Sequence, residues 1–123
     1  MSATLYRADG SREEIEAENG RDFTAAEIYK LLGCDMLEVI NTGDPNMIFI
    51  GDEEARLSDE YVINVEATRI YRDSLGITDP HAAKAAELAE MAKHYSFVID
   101  VSMDDEPYSI AGDVIYCPSV MLL

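Results

Sequence analysis

The chain has 123 residues, 48% of them hydrophobic, and carries 25 acidic against nine basic side chains for a net charge of −16. That length and apolar content suit one domain with its own core and exclude a chain too polar to fold. A charge so one-sided repels nucleic acid and anionic membranes, and attracts basic partners in a fast, salt-dependent way. No apolar run approaches the roughly 20 residues of a membrane span. Met1-Ser2-Ala3-Thr4 lacks the basic region and apolar run of a signal peptide, so a cytoplasmic protein is expected. Cys34 and Cys117 have no metal-type spacing and are expected as free, buried thiols.

In chain order, Thr4 to Ala8 reads as a short strand closed by a turn at Asp9-Gly10. From Glu13 to Glu18, Ile15 and Ala17 alternate with Glu14, Glu16 and Glu18, the period of a half-buried strand, and Asn19-Gly20 ends it. Thr24 as N-cap, Glu27 as its reciprocal partner and a Phe23–Ile28 staple predict a helix running to Leu32 and stopped by Gly33. Met36 to Ile40 and Met47 to Ile50 flank the turn-rich Asn41-Thr42-Gly43-Asp44-Pro45-Asn46 and predict a hairpin. Asp52 to Glu60 is a charged loop, Tyr61 to Ile63 extended, and Asn64 caps a second helix from Val65 to about Ser74, ended by Gly76. Asp79-Pro80 opens a third helix, with Ala82, Ala85, Leu88, Ala89, Ala92 and Tyr95 as its apolar stripe. Phe97 to Val101, an acidic turn over Asp104 to Pro107, and a last strand near Asp113 to Cys117 follow. The apolar tail, Val120 to Leu123, either docks on the core or joins a subunit contact, so a homo-oligomer through it is an expectation. The sum is an α+β single domain: a mostly antiparallel sheet of five to six strands with three helices.

The order of these pieces resembles a known pattern. A strand ending in Asp-Gly, a helix running into Leu32-Gly33, then Met36-Leu37-Glu38-Val39-Ile40, is similar to the first half of the family labelled domain of unknown function 3846. Asn64-Val65-Glu66-Ala67-Thr68 and Ile110-Ala111-Gly112-Asp113-Val114-Ile115 match its second half. Against that pattern, residues 78–95 look like an inserted helix. The resemblance implies a small protein of the kind carried by phages, plasmids and other mobile elements of bacteria, and transfers no activity. From the residues themselves, Asn64 is most simply a helix cap and Gly112-Asp113 a tight turn before the last strand.

Chemical constellations are few. His81 and His94 stand at the two ends of the third helix, about 20 Å apart at 1.5 Å per residue, too far to share a metal. Asp52-Glu53-Glu54 and Asp104-Asp105-Glu106 lack the spacing of a calcium loop, so no metal and no cofactor is expected. There is no glycine-rich phosphate loop, and Arg56, Arg69 and Arg72 are the only loose basic grouping, so direct nucleic-acid binding is not expected. No enzyme is predicted.

The acids remain as a surface. Alternate residues of a strand stand about 6.6 Å apart, whereas a DNA strand carries a phosphate every ~3.4 Å. Glu14, Glu16 and Glu18 therefore need further rows to imitate a duplex: Asp52, Glu53, Glu54, Asp59 and Glu60, with Asp104, Asp105 and Glu106. Residues 1–62 hold fifteen acids and five bases (15 − 5 = 10 net negative), against ten and four afterwards (10 − 4 = 6). Halophilic adaptation would explain the total but not this skew. The leading expectation is a non-enzymatic mobile-element protein that blocks a basic, nucleic-acid-binding surface of a host defence protein. The alternatives are a binder or sequesterer of a small molecule such as a nucleotide signal, built on Asn64, Arg69, Tyr71 and Arg72 with Tyr61, or a structural interaction module.

Overall fold

A computed structural model describes residues 2–57, 61–95 and 107–122, the side chains of residues 88 and 91–95 excepted. The chain is an α+β domain: strands β1 (Ala3–Tyr6), β2 (Arg12–Ile15), β3 (Leu37–Asn41), β4 (Met47–Asp52) and β5 (Val114–Pro118), with helices α1 (Ala25–Leu32), α2 (Val65–Leu75) and α3 (Pro80–Tyr95). The strands form one fully antiparallel sheet in the order β2-β1-β5-β4-β3. The expected strand at Phe97 to Val101 lies outside the described residues.

Two local hairpins are thus joined by β5, which inserts between β1 and β4. Because side chains alternate across a strand, the run Ile48-Phe49-Ile50 supplies both faces. Ile48 and Ile50 join Leu5, Ile115 and Cys117 in a core beneath Ile28, Leu31 and Leu32 of α1. Phe49 and Val114 form a second core with Ala67, Ile70 and Tyr71 of α2, edged by Tyr6 and Tyr116. The sheet is covered by α1 on one face and α2 on the other. The Phe49 and Tyr116 rings lie 4.7 Å apart and tilted, an arrangement their quadrupoles favour.

Helix α1 starts as its sequence dictates. Glu27 N–H donates to the Thr24 hydroxyl (3.3 Å), Thr24 N–H donates to Glu27 Oε1 (3.2 Å), and Gly33 closes the helix at φ +63°. Helix α3 keeps its Asp79 cap, Ala82 N–H donating to Oδ1 (3.1 Å). Of its expected stripe, Ala85 is half-buried, beside Ala83 and Lys84, whereas Ala82 and Ala89 are exposed; the side chains of Leu88, Ala92 and Tyr95 lie outside those described. Alanine buries too little surface to orient a helix by itself. Here Lys84 and Glu87 face Tyr108, the ammonium 5.5 Å from the ring centre and the carboxylate accepting from the Tyr108 hydroxyl. The tail docks rather than projects: Phe23 N–H donates to the Met121 carbonyl (2.6 Å), Met121 is buried, and Val120 alone of the described tail is well exposed.

Candidate acidic interface

Strand β2 leaves β1 through a tight turn in which Gly10 adopts φ +95° and Arg7 N–H donates to the Ser11 carbonyl (2.9 Å). In an antiparallel pair, directly opposed residues alternate between bonded and non-bonded. The Arg7–Ser11 bond therefore makes Leu5–Glu13 and Ala3–Ile15 the bonded pairs of the register, and leaves the N–H and C=O of Arg12 and Glu14 pointing away from β1. Since β2 is a sheet edge, no strand among the described residues meets them. Regular pairing stops at Ile15, short of the expected Glu18. The alternation still holds: Glu14, Glu16 and Glu18 are exposed, Ile15 half-buried and Ala17 buried. Beyond the strand, Glu18 N–H donates to Glu27 Oε2 (3.0 Å), tying the segment to the first turn of α1. Between β2 and α1 runs an open groove of about 590 Å³, with Ile15 and Leu31 as its apolar lining. Its charged lining is Glu13, Glu14, Glu16, Glu18 and Glu27, with Arg7 and Lys30.

What neutralises this charge is scarce. Arg7 lies 3.8 Å from Glu13 and 3.4 Å from Asp113. Arg69 bridges Glu66 and Asp73, Arg56 donates to the Ser109 carbonyl (2.6 Å) and stands 5.6 Å over Tyr61, and Arg72 donates to the Pro107 carbonyl (2.9 Å). Those arginines are turned to the protein's own groups. Among the described residues, none of Glu14, Glu16, Glu18, Asp52, Glu53 or Glu54 is in an ion pair.

Asp52 ends β4, and Glu53 and Glu54 follow it. Asp52 Oδ1 accepts from Glu54 N–H (2.9 Å), and Glu53 N–H donates to the Met36 carbonyl (3.0 Å). Register places this cluster beside Leu37 at one end of the β3 edge, whereas Ile15 and the glutamates after it leave the other end of the β2 edge. Four strand spacings of ~4.8 Å separate the two edges by about 19 Å, before the offset along the strands is added. The two acidic clusters therefore sit at opposite corners of the sheet and do not form neighbouring rows. Asp59, Glu60, Asp104, Asp105 and Glu106 lie outside the described residues.

Two acids absent from the expected set join these corners. Glu13 shares both β2 and the groove beside α1 with Glu14, a position that pairing with Leu5 fixes and that strand alternation alone could have flagged. Glu38 lines a pocket of about 110 Å³ with Asp52, Glu53, Arg56 and Ser109. Burial and the Glu53 charge push its carboxyl above the usual range, and Arg56 pulls it part of the way back. Only the β3–β4 register brings Glu38 there.

The residues of the small-molecule alternative do not converge. Asn64 is 1% exposed; its amide donates to the carbonyls of Tyr6 (3.0 Å) and Gly112 (2.9 Å), and its oxygen accepts from Ala67 N–H (3.1 Å). Tyr71 packs in the core under α2, where burial raises its hydroxyl's pKa. Arg69 and Arg72 do share an open groove of about 530 Å³ with Ile63, Val65 and Ile77, but Asn64 and Tyr71 are not part of it. Tyr61 stands with Arg56 instead. His81 is exposed at the start of α3. Both cysteines are free and buried, burial lifting the Cys117 thiol to about 11 and keeping it unreactive. Among the described residues, no three histidine, cysteine or carboxylate side chains are placed to hold a metal ion, and no helix is long and apolar enough to cross a membrane.

The chain matches no protein-family model, no curated protein and no solved structure.

Proposed function

We propose that this protein binds a basic, nucleic-acid-binding surface of another protein through the β2 corner, and so competes with nucleic acid for that surface. The observation that carries the reading is that Glu14, Glu16 and Glu18 stand exposed and outside any ion pair among the described residues, while Arg7, Arg56, Arg69 and Arg72 are occupied within the protein. Carboxylates held in that state keep their attraction for an approaching cation, and in a field of net charge −16 they steer its encounter. The resemblance to the domain of unknown function 3846 family supports a mobile-element origin, with a host defence protein as the partner and the bacterial cytoplasm as the place of action. The opposite placement of Asp52 to Glu54 argues for contact at one corner rather than for a continuous duplex-like surface.

The test is retention of a bacterial extract on the immobilised chain at about 0.1 M ionic strength, where the Debye length is ~10 Å. DNA- or RNA-binding proteins should be retained, released by added duplex, and lost from a Glu14→Gln/Glu16→Gln/Glu18→Gln variant. Retention indifferent to both the duplex and the triple variant removes the proposal.

A further inference from the structure

We infer that the outer edge of β2 is a strand-addition site: an extended, lysine- or arginine-bearing segment of the partner pairs with it as an added strand. The inference rests on the proposed function above and specifies how the partner is held.

Three observations converge on that edge. The first is backbone: the pairing register leaves the N–H and C=O of Arg12 and Glu14 directed outward, the template an incoming strand needs. The second is shape. The groove of about 590 Å³ between β2 and α1 runs alongside the edge and offers Ile15 and Leu31 to the side chains that a new strand would turn toward α1. The third is charge. Glu14 alternates with Glu13 and Ile15 along the strand and also borders the groove. An added strand therefore meets carboxylates on both sides of the edge, with the cation Arg12 beside Glu14 and with Glu16 and Glu18 beyond. Lys30 and Arg7 are the basic groups lining the groove, and Arg7 is already paired with Glu13 and Asp113.

The occupant follows from that charge. A second copy of this chain would set the glutamates of one β2 against those of another, and like charges across strands are destabilising. A basic extended segment gains both backbone bonds and cross-strand charge pairs. The same glutamates would also serve merely to keep this edge from pairing with anything, the usual way proteins guard a sheet edge. Experiment separates the two roles.

The probe is a short peptide of alternating lysine and valine, compared with an analogue N-methylated on alternate residues so that one edge cannot pair. Calorimetry should show the parent peptide binding and the analogue weaker by about tenfold or more. Hydrogen exchange should slow at the amides of Arg12 and Glu14. Glu14→Pro removes an outward N–H without touching a bond to β1, and should weaken binding well beyond Glu14→Gln. If both peptides bind equally and no amide is protected, strand addition is wrong and charge-driven binding stands. If neither peptide binds while the immobilised chain still retains basic proteins, the edge is guarded rather than docked, and strand addition again fails. If basic proteins are not retained either, the proposed function falls with it.

Discussion

At the scale of single residues, Asn64 does more than cap α2. Its amide ties the end of β1 to the turn before β5, while its oxygen satisfies the first turn of the helix. Thr68, one turn on, accepts from Ile110 N–H (2.9 Å). Asp113 accepts from Ala8 N–H (2.8 Å). The segments 64–68 and 110–113, which stand out as motifs in the sequence, are therefore two halves of one buried knot. Replacing Asn64 by alanine removes a donor from each of two carbonyls and the acceptor of the Ala67 amide, and should cost about 2–3 kcal/mol in urea unfolding. Asn64→Asp preserves the cap but not the two donors and should be no better than alanine. Recovery of wild-type stability by aspartate would show that the cap alone matters. The cap was legible from the sequence, because it is a local signal. The donors' partners were not, because Tyr6 and Gly112 are 58 and 48 residues away.

Among the elements, those with local punctuation were readable to within a residue or two. Thr24, Glu27 and Gly33 bound α1, Asn64 and Gly76 bound α2, and the β3–β4 hairpin appears where turn residues separate two apolar runs. Periodicity alone tells which residues share a face but not whether a neighbour covers it: regular pairing of β2 stops at Ile15, and Ala82 and Ala89 of α3 are exposed. The β3–β4 loop illustrates a neighbour that no periodicity reveals. Gly43 N–H donates to the Ser74 hydroxyl (3.0 Å), and a Cβ at Gly43 would stand 1.8 Å from the Ser74 carbonyl oxygen. Gly43→Ala should therefore push the hairpin off the end of α2 and destabilise by about 2 kcal/mol, read as a lower denaturation midpoint. An unchanged midpoint would mean that this contact does not form in solution.

Across the whole molecule, the relevant quantity is the distribution of the charge. The skew toward residues 1–62 was visible in the sequence, but the separation of its clusters was not. The insertion of β5 between the two hairpins sets the distance from Glu14 to Asp52, and no local pattern encodes a pairing between residues 3–6 and 114–118. A net charge of −16 on so small a domain also repels itself. Raising ionic strength from about 0.01 M to 0.5 M screens that repulsion and should lift the Tm by a few degrees, equivalent to ~1 kcal/mol. A flat or falling Tm would mean that the ion pairs lost to salt outweigh the repulsion it relieves.

The sheet order has a consequence for biosynthesis. The middle strand, β5, is the last of the five described strands to leave the ribosome. Until it arrives, each hairpin is a two-stranded ribbon with both flanks open, and Ile48-Phe49-Ile50 has neither a neighbouring strand on the β5 side nor a finished core on either face. Sheet closure then waits on the β1–β5 pairing, the most distant strand pairing among the described residues, which adds loop-closure entropy to the folding barrier. A nascent chain stalled before Val114 leaves the exit tunnel should remain protease-sensitive throughout. Protection should arrive in a single step once Pro118 has cleared the tunnel.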